Sequence, residues 1–299
     1  MIKNCNCGCA QIVINPAPVE VLSIETPSGK DADYENFPVG SILLPAKARP
    51  HVATFYHYAR AIDDIADSNT LSPEEKINRL DSFAAAIKGE KYDDEAYLTG
   101  IRMRESLLET NVPVQHCLDL IDAFQQDATQ NRYDDWDDLM HYCIRSAAPV
   151  GRYLIDLTGG TTDGYKASDA LCNALQVINH LQDCKDDFET LNRVYLPMTW
   201  MQKAGCDVSD LAGSHETPEL RIVINQCLEA TRSLMIDAYA LPSGVVSRRL
   251  AMESGAIIRI ADALIDKLAV QDPISTRVKL TKPGYVSCIV RGACAGMFA

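Results

Sequence analysis

Helical spacing of apolar residues is the feature that most constrains the fold of this chain. From about residue 45 onward, apolar side chains recur at helical intervals almost without interruption, as they do in helices that pack on a common core. We find no alternating strand pattern of useful length and no internal repeat. An all-α protein is therefore expected. Helices are predicted over 47–67, 73–88, 93–109, 114–130, 135–158, 167–189, 217–240, 245–269 and 279–295.

Local signals support several of these boundaries. Ser72 followed by Pro73 and two glutamates is a good helix start, because the serine can cap the helix and the acids favour its first turn. Gly159-Gly160 is expected to end a helix, and Ser168 to cap the next one. Pro149 lies inside a helical pattern, so it should kink that helix and free a carbonyl group.

The first part of the chain differs from the rest. Residues 1–33 carry turn formers without sustained periodicity, which predicts a flexible N-terminal arm and a single helical domain over 34–299. Within the arm, Cys5, Cys7 and Cys9 match none of the common zinc spacings, so a tail without metal is favoured over a metal site. The other cysteines are scattered through helical stretches, which indicates reduced thiols in a cytoplasmic protein.

Net charge limits the partners of this chain. The 28 basic and 41 acidic residues give a net charge of −13, so the chain should repel nucleic acid. An acidic protein that binds an anionic substrate needs a cationic bridge, and a divalent metal is the simplest one. No signal peptide and no stretch long enough for a membrane span is found in the sequence, which favours a cytoplasmic location.

The first acidic motif runs from Arg60 to Asp67 and includes the pair Asp63-Asp64. Asp63 and Asp67 are four residues apart, so on a helix they project from the same face. Two carboxylates one turn apart repel each other, and a hard cation would offset that repulsion. Taken alone, this motif fits a solvated acidic helix end equally well.

The second acidic motif places Asn179, Asp183 and Asp187 at intervals of four, in a single stripe of oxygen ligands. Apolar residues flank the stripe, which is unlike a simple solvated face. Two such stripes in one helical chain favour Mg²⁺, which binds through carboxylates and substrate phosphates. The metal would make a diphosphate a better leaving group, and Arg60 could bind its oxygens. A dry, apolar cavity would then be needed for the resulting carbocation.

These motifs resemble those of the squalene/phytoene synthase family. The resemblance is carried by 58–67, by 176–183 running on through Asp187, and by Asn192-Arg193-Val194-Tyr195-Leu196-Pro197, and it extends from about Tyr34 to the C-terminus. It implies an isoprenoid-synthase helical bundle around a central cavity, an isoprenoid diphosphate substrate and Mg²⁺ as cofactor.

The resemblance also implies roles for individual residues. The metal ligands would be Asp63, Asp64, Asp67, Asn179, Asp183 and Asp187. The substrate contacts would be Asn36, Phe37, Ser41, Tyr56, Arg60, Gln176 and Arg193, and the catalytic residues would be Tyr142 and Arg60.

Within the family, the segments 35–41 and 146–151 are most similar to bacterial hydroxysqualene synthases of hopanoid biosynthesis. This implies a carbon–oxygen lyase that ionises presqualene diphosphate and captures the cation with water, held by groups such as Asn36, Ser41 or Tyr142. Two alternatives stay open: a head-to-head prenyl transferase of the same fold, and a helical assembly factor without catalysis. Peripheral membrane contact and contact with other squalene-pathway enzymes are further expectations.

Several polar residues have a simpler interpretation. The charge run 134–138 is expected to be a solvated helix start. Asp127 fits either a helix end or a site residue. The remaining candidates share an imidazole side chain without a partner at metal spacing, so they are interpreted as structural or surface residues: His51, His57, His116, His141 and His180.

Overall fold

The computed structural model describes residues 43–90 and 95–299. Its helices are α1 (Arg49–Asp67), α2 (Pro73–Lys88), α3 (Leu98–Thr110), α4 (Gln115–Asp127), α5 (Trp136–Ser146), α6 (Ala148–Leu157), α7 (Tyr165–Leu191), α8 (Met198–Ala204), α9 (Pro218–Ala238), α10 (Leu241–Gly244), α11 (Arg248–Leu268) and α12 (Lys282–Met297). Two short strands, β1 (Arg132–Tyr133) and β2 (Val194–Pro197), pair in parallel. The predicted all-α class is confirmed. The predicted arm 1–33 with Cys5, Cys7 and Cys9, and the predicted contacts Asn36, Phe37 and Ser41, lie outside the described residues.

The start of α2 shows how local sequence sets a helix boundary. The Ser72 hydroxyl accepts a hydrogen bond from the Glu75 amide at 3.2 Å, and Pro73 follows in the first turn. Such a cap stabilises a helix by about 1 kcal/mol. At the other end, Gly89 adopts a left-handed conformation with φ of 86°, which glycine reaches without steric cost. The predicted start at Ser72-Pro73 is confirmed.

The predicted helix over 135–158 is divided, and this corrects the expectation of one kinked helix. The helical path ends at Ser146 and resumes at Ala148, with Pro149 in the first turn of α6. Proline lacks the amide hydrogen that a continuous helix would need at this point, so a new helix begins instead. The short helices α8 and α10 and the strand pair were not predicted, because segments of two to seven residues are too short to show a period.

Two groups of helices surround the interior. In the first, α1 to α4 pack around Tyr58, Ile62 and Phe83, all fully buried. In the second, α7 is the central element and packs against α6, α9 and α11. The strand pair holds the segment that follows α7 beside the end of α4, with Arg132 opposite Val194. None of the helices in 43–90 and 95–299 has the length and apolar content that crossing a bilayer requires.

Candidate active site

A cavity of about 340 Å³ lies between α1 and α7, and both acidic stripes contribute to its wall. Its volume is within the range of ligand-binding pockets. Five of the predicted oxygen donors lie on this wall: Asp63, Asp67, Asn179, Asp183 and Asp187. The fold thus brings side chains more than 100 positions apart in the sequence to one cavity.

Arginines are paired with the carboxylates of this cavity. Arg60 Nη2 lies 2.9 Å from Asp63 Oδ2. Arg277 Nη2 donates to Asp183 Oδ2 at 2.9 Å, and its Nε donates to the other oxygen of that carboxylate. These cations offset the repulsion between clustered carboxylates, so the acidic stripes are compatible with a folded chain.

Asp64 is placed differently from its neighbours. Its side chain is 7% exposed and does not contribute to the cavity wall. Oδ1 of Asp64 accepts hydrogen bonds from Nε and Nη2 of Arg60, at 2.9 and 2.8 Å. The Asp64 carboxylate therefore orients the Arg60 guanidinium, and its role as a metal ligand stays a prediction. Tyr56 and Gln176, both predicted substrate contacts, lie on the cavity wall.

Arg193 is a buried cation in the same cavity wall, beside Asp67. Its Nη1 donates to Asp67 Oδ1 at 2.6 Å, and its Nη2 donates to the carbonyl oxygens of Ala66 and Asp127. Burial alone would lower the pKa of Arg193, but nearby Tyr195, Asp127 and Asp67 raise it overall. The guanidinium thus remains charged and fixed, with its position set by α1, α4 and the start of β2.

Asp127 lies at the end of α4 beneath a group of aromatic rings. Its carboxylate accepts hydrogen bonds from the hydroxyls of Tyr142, at 2.7 Å, and Tyr195, at 3.1 Å. Burial raises the pKa of Asp127 to about 6, although Arg193 and the Tyr142 hydrogen bond lower it. Burial also raises the pKa of Tyr142, so its hydroxyl keeps its proton. Asp127 is the last residue of α4 and part of the cavity wall, so its position is compatible with both interpretations, and a role in the site stays a prediction.

His180, on α7, packs against the aromatic rings of Tyr142 and Tyr195. Its ring stacks on Tyr195 with centroids 3.7 Å apart, and it is part of the cavity wall. Burial, and then the Arg193 charge, lower the pKa of His180 to about 3, so the imidazole is neutral. The sequence interpretation treated His180 as structural or surface. The structure places it between two predicted metal-binding positions, Asn179 and Asp183.

The rest of the cavity wall is mainly apolar. Its leucine, isoleucine, valine and phenylalanine members are Leu44, Val52, Phe55, Phe124, Val150, Leu154, Ile155, Leu171, Leu175, Leu191, Leu241, Leu250 and Ile257. A few polar side chains interrupt this wall away from the acidic stripes, among them Ser146, Ser168, Glu253 and Ser254. A molecule in this cavity therefore meets charge beside the two acidic stripes, which we call the charged end of the cavity, and mostly hydrocarbon along the rest of the wall.

The residues at the charged end fit a divalent cation that is held together with substrate. Among the residues that the structure describes, no group of three His, Cys, Asp or Glu side chains is close enough to hold a metal by itself. Mg²⁺ usually takes few protein ligands and completes its shell with water and phosphate oxygens. The donors present are carboxylates and one amide, which are hard oxygen ligands of the kind Mg²⁺ prefers.

Arg277 is one of the residues at the site that sequence reasoning missed, together with His180 and Tyr195. It lies in the irregular segment after α11, 94 positions from Asp183. That segment has no periodicity and no motif of its own. The one available signal is that Arg277 and its neighbours form a basic stretch in an acidic chain, and this signal does not identify a partner.

Comparison with known proteins agrees with this geometry. The family model described as squalene/phytoene synthase matches residues 31–283. The chain is 40% identical to a hydroxysqualene synthase of Rhodopseudomonas palustris over 262 residues, which cover 88% of this chain and 89% of that protein. It is 35% identical to a hydroxysqualene synthase of Zymomonas mobilis, with 91% of each chain covered.

Solved structures show the same architecture. The crystal structure of squalene synthase HpnC from Alicyclobacillus acidocaldarius superposes with a TM-score of 0.66 at 29% identity, covering 76% of this chain and 85% of that one. A dehydrosqualene synthase in complex with a ligand superposes with a TM-score of 0.72 at 17% identity, covering 87% of this chain and 91% of that one. The second likeness concerns the fold alone.

Proposed function

The chain belongs to the squalene/phytoene synthase family, and we propose that it converts presqualene diphosphate and water into hydroxysqualene and diphosphate. One observation carries this proposal: two acidic stripes, on α1 and α7, line a cavity whose remaining wall is mainly apolar. That arrangement suits a substrate with an anionic head and a long hydrocarbon body. Similarity to hydroxysqualene synthases at 35–40% identity supports this choice of reaction.

The charged end of the cavity would bind the diphosphate. Asp63, Asp67, Asn179, Asp183 and Asp187 would hold Mg²⁺, and the bound metal would neutralise the diphosphate and make it a better leaving group.

Arginine side chains at the same end supply fixed positive charge. Arg60 is held by Asp64, and Arg193 by Asp67 and two backbone carbonyl groups. Guanidinium groups form strong, charge-assisted hydrogen bonds with phosphate oxygens. Because both arginines are already oriented, little side-chain freedom would be lost when the diphosphate binds.

The remaining wall governs the fate of the carbocation. When the carbon–oxygen bond breaks, its electron pair leaves with the diphosphate, and the cation forms in a cavity with few nucleophiles. The faces of Phe55, Phe124 and Tyr142 can stabilise positive charge nearby. One water molecule, held by a polar group of the wall such as Ser146, would donate a lone pair to the cation and lose a proton. No electrons are exchanged, so no nicotinamide cofactor is required.

The proposal is tested by supplying the purified protein with presqualene diphosphate and with farnesyl diphosphate in separate reactions. We expect presqualene diphosphate to be consumed, with one diphosphate released for each alcohol formed, and farnesyl diphosphate to be left unchanged. Boiled protein serves as the control. Conversion of farnesyl diphosphate to presqualene diphosphate or phytoene would identify a head-to-head prenyl transferase and refute the proposal.

A further inference from the structure

The last helix, α12, forms an outer layer on α11. The two helices approach closely because glycines face each other at their crossing. A methyl group on Gly292 would collide with the carbonyl oxygen of Gly255, and one on Gly296 with that of Ala251. Among the described elements, α11 is the one against which α12 packs extensively. The glycine face thus fixes α12 against α11, and the opposite face of α12 is directed away from α11.

That opposite face carries mainly apolar side chains. At 100° per residue, the side opposite Gly292 carries Pro283, Ser287, Val290 and Cys294, all exposed. Val286, Val290 and Phe298 are 58%, 56% and 82% exposed. We call the exposed side chains of Pro283, Val286, Ser287, Val290, Cys294 and Phe298 the α12 outer face. It forms a continuous stripe rather than a scatter of single apolar residues.

Charge around the α12 outer face is positive. Residues 273–299 contain four basic side chains and no acidic one, whereas residues 1–272 contain 24 basic and 41 acidic ones, a net charge of −17. Of these four, Arg277 is paired with Asp183, and Lys282 and Arg291 belong to α12. Lys282 and Arg291 lie on opposite flanks of the outer face, and both are exposed. On the neighbouring α11, Arg248, Arg249 and Arg259 are exposed as well.

Two acidic side chains of α11 lie outside its buried core. Asp262 accepts a hydrogen bond from the Tyr239 hydroxyl, and Asp266 is exposed beside Arg232. The α12 outer face itself contains no acid. Asp262 lies near Cys288 together with two cations, Arg259 and Arg291.

We propose that the α12 outer face docks on an anionic lipid surface. An apolar stripe flanked by lysine and arginine is the pattern of helices that lie in the membrane interface, where the cations reach lipid phosphates. A second copy of this chain is a poorer occupant, because a two-fold contact through this face would gather Lys282 and Arg291 of both copies around one apolar patch that has no acid of its own to pair with them. At 16 residues, α12 is too short to span a bilayer.

The α12 outer face lies close to the apolar part of the cavity, with α11 between the two. On its other side, α11 contributes Leu250 and Ile257 to the apolar part of the cavity wall. Burial, and then the carboxylate of Glu253 in that wall, raise the pKa of Tyr285 on α12. One helix therefore separates the proposed lipid contact from the hydrocarbon part of the cavity.

Co-sedimentation of the full chain with lipid vesicles tests the proposal. We expect binding to vesicles of phosphatidylcholine mixed with phosphatidylglycerol, weaker binding to phosphatidylcholine alone, and weakening by salt. The double variant V286E/V290E should bind the vesicles at least about ten-fold more weakly than the unchanged protein. The double variant K282E/R291E should lose the preference for the anionic lipid. L108E is the matched control, since Leu108 is 62% exposed on α3, and it should bind like the unchanged protein.

Circular dichroism and the melting temperature check that each variant is folded. If V286E/V290E unfolds, K282E/R291E still tests the proposal, because Lys282 and Arg291 are both exposed and their replacement should not disturb the core. Equal binding to both lipids, or full binding by K282E/R291E, would overturn the proposal. So would a dimer in analytical ultracentrifugation without lipid that V286E/V290E dissociates, since that result would assign the α12 outer face to a second copy. Vesicle binding is measured without substrate and does not depend on the proposed reaction.

Discussion

Replacing Asp183 with asparagine should lower turnover of presqualene diphosphate by about 10³-fold, the size of effect seen when one stabilising group of an active site is removed. Asp183 lines the charged end of the cavity and is paired with Arg277. The amide has nearly the same shape as the carboxylate but lacks its charge, so metal and diphosphate would bind poorly. The same loss is expected for Asp63→Asn on α1.

The fold of these variants should be intact. Clustered carboxylates repel one another, so removing one charge relieves repulsion while the asparagine can still accept a hydrogen bond from Arg277. Asp186→Asn is the matched control, because Asp186 is exposed on the same helix and does not line the cavity. Steady-state rates and melting temperatures of the three variants are the measurements. Activity of Asp63→Asn and Asp183→Asn within a few-fold of the unchanged protein would contradict the assignment of these residues.

Removing divalent cations should abolish turnover, and adding Mg²⁺ or Mn²⁺ should restore it. Carboxylates of both stripes share their cavity with an anionic substrate, and the arginines present are already paired with Asp63, Asp67 and Asp183. Without further positive charge, a diphosphate entering the cavity would meet net repulsion.

The measurement is turnover in excess EDTA, followed by titration with each metal. Ca²⁺, which is larger and prefers more ligands, should restore less activity. The control is a reaction in dithiothreitol, which should leave the activity and fold unchanged, because the described cysteines are free thiols. Full activity in EDTA would refute the requirement for a metal.

The sequence predicted the helices of this protein well because their buried faces repeat with a helical period. The stripe Asn179, Asp183, Asp187 could be read from spacing alone, since all its members belong to one helix. The proximity of this stripe to Asp63 and Asp67 could not be read from spacing, because that proximity depends on how α1 and α7 pack. The shared cavity was expected from the family resemblance, and the structure shows both stripes on its wall.

Contacts across the chain account for what was missed. Arg277 reaches Asp183 from an irregular segment 94 positions away, and no local pattern marks such a contact. His180 looked structural because it has no partner at metal spacing, yet its helix turns it toward Tyr195 and the cavity. Pro149 correctly indicated that a continuous helix is interrupted near this position. Whether a helix kinks or ends at a proline depends on the packing around it.

The source of the product oxygen distinguishes capture of the cation by water from its reduction by a nicotinamide cofactor. Presqualene diphosphate is incubated with the purified protein in ¹⁸O-labelled water, without any nicotinamide cofactor, and the product is examined by mass spectrometry. We expect hydroxysqualene whose hydroxyl carries the label, because water is the nucleophile that captures the cation. Squalene formed only when NADPH is added, with no labelled alcohol, would refute the proposed reaction and identify a reductive squalene synthase.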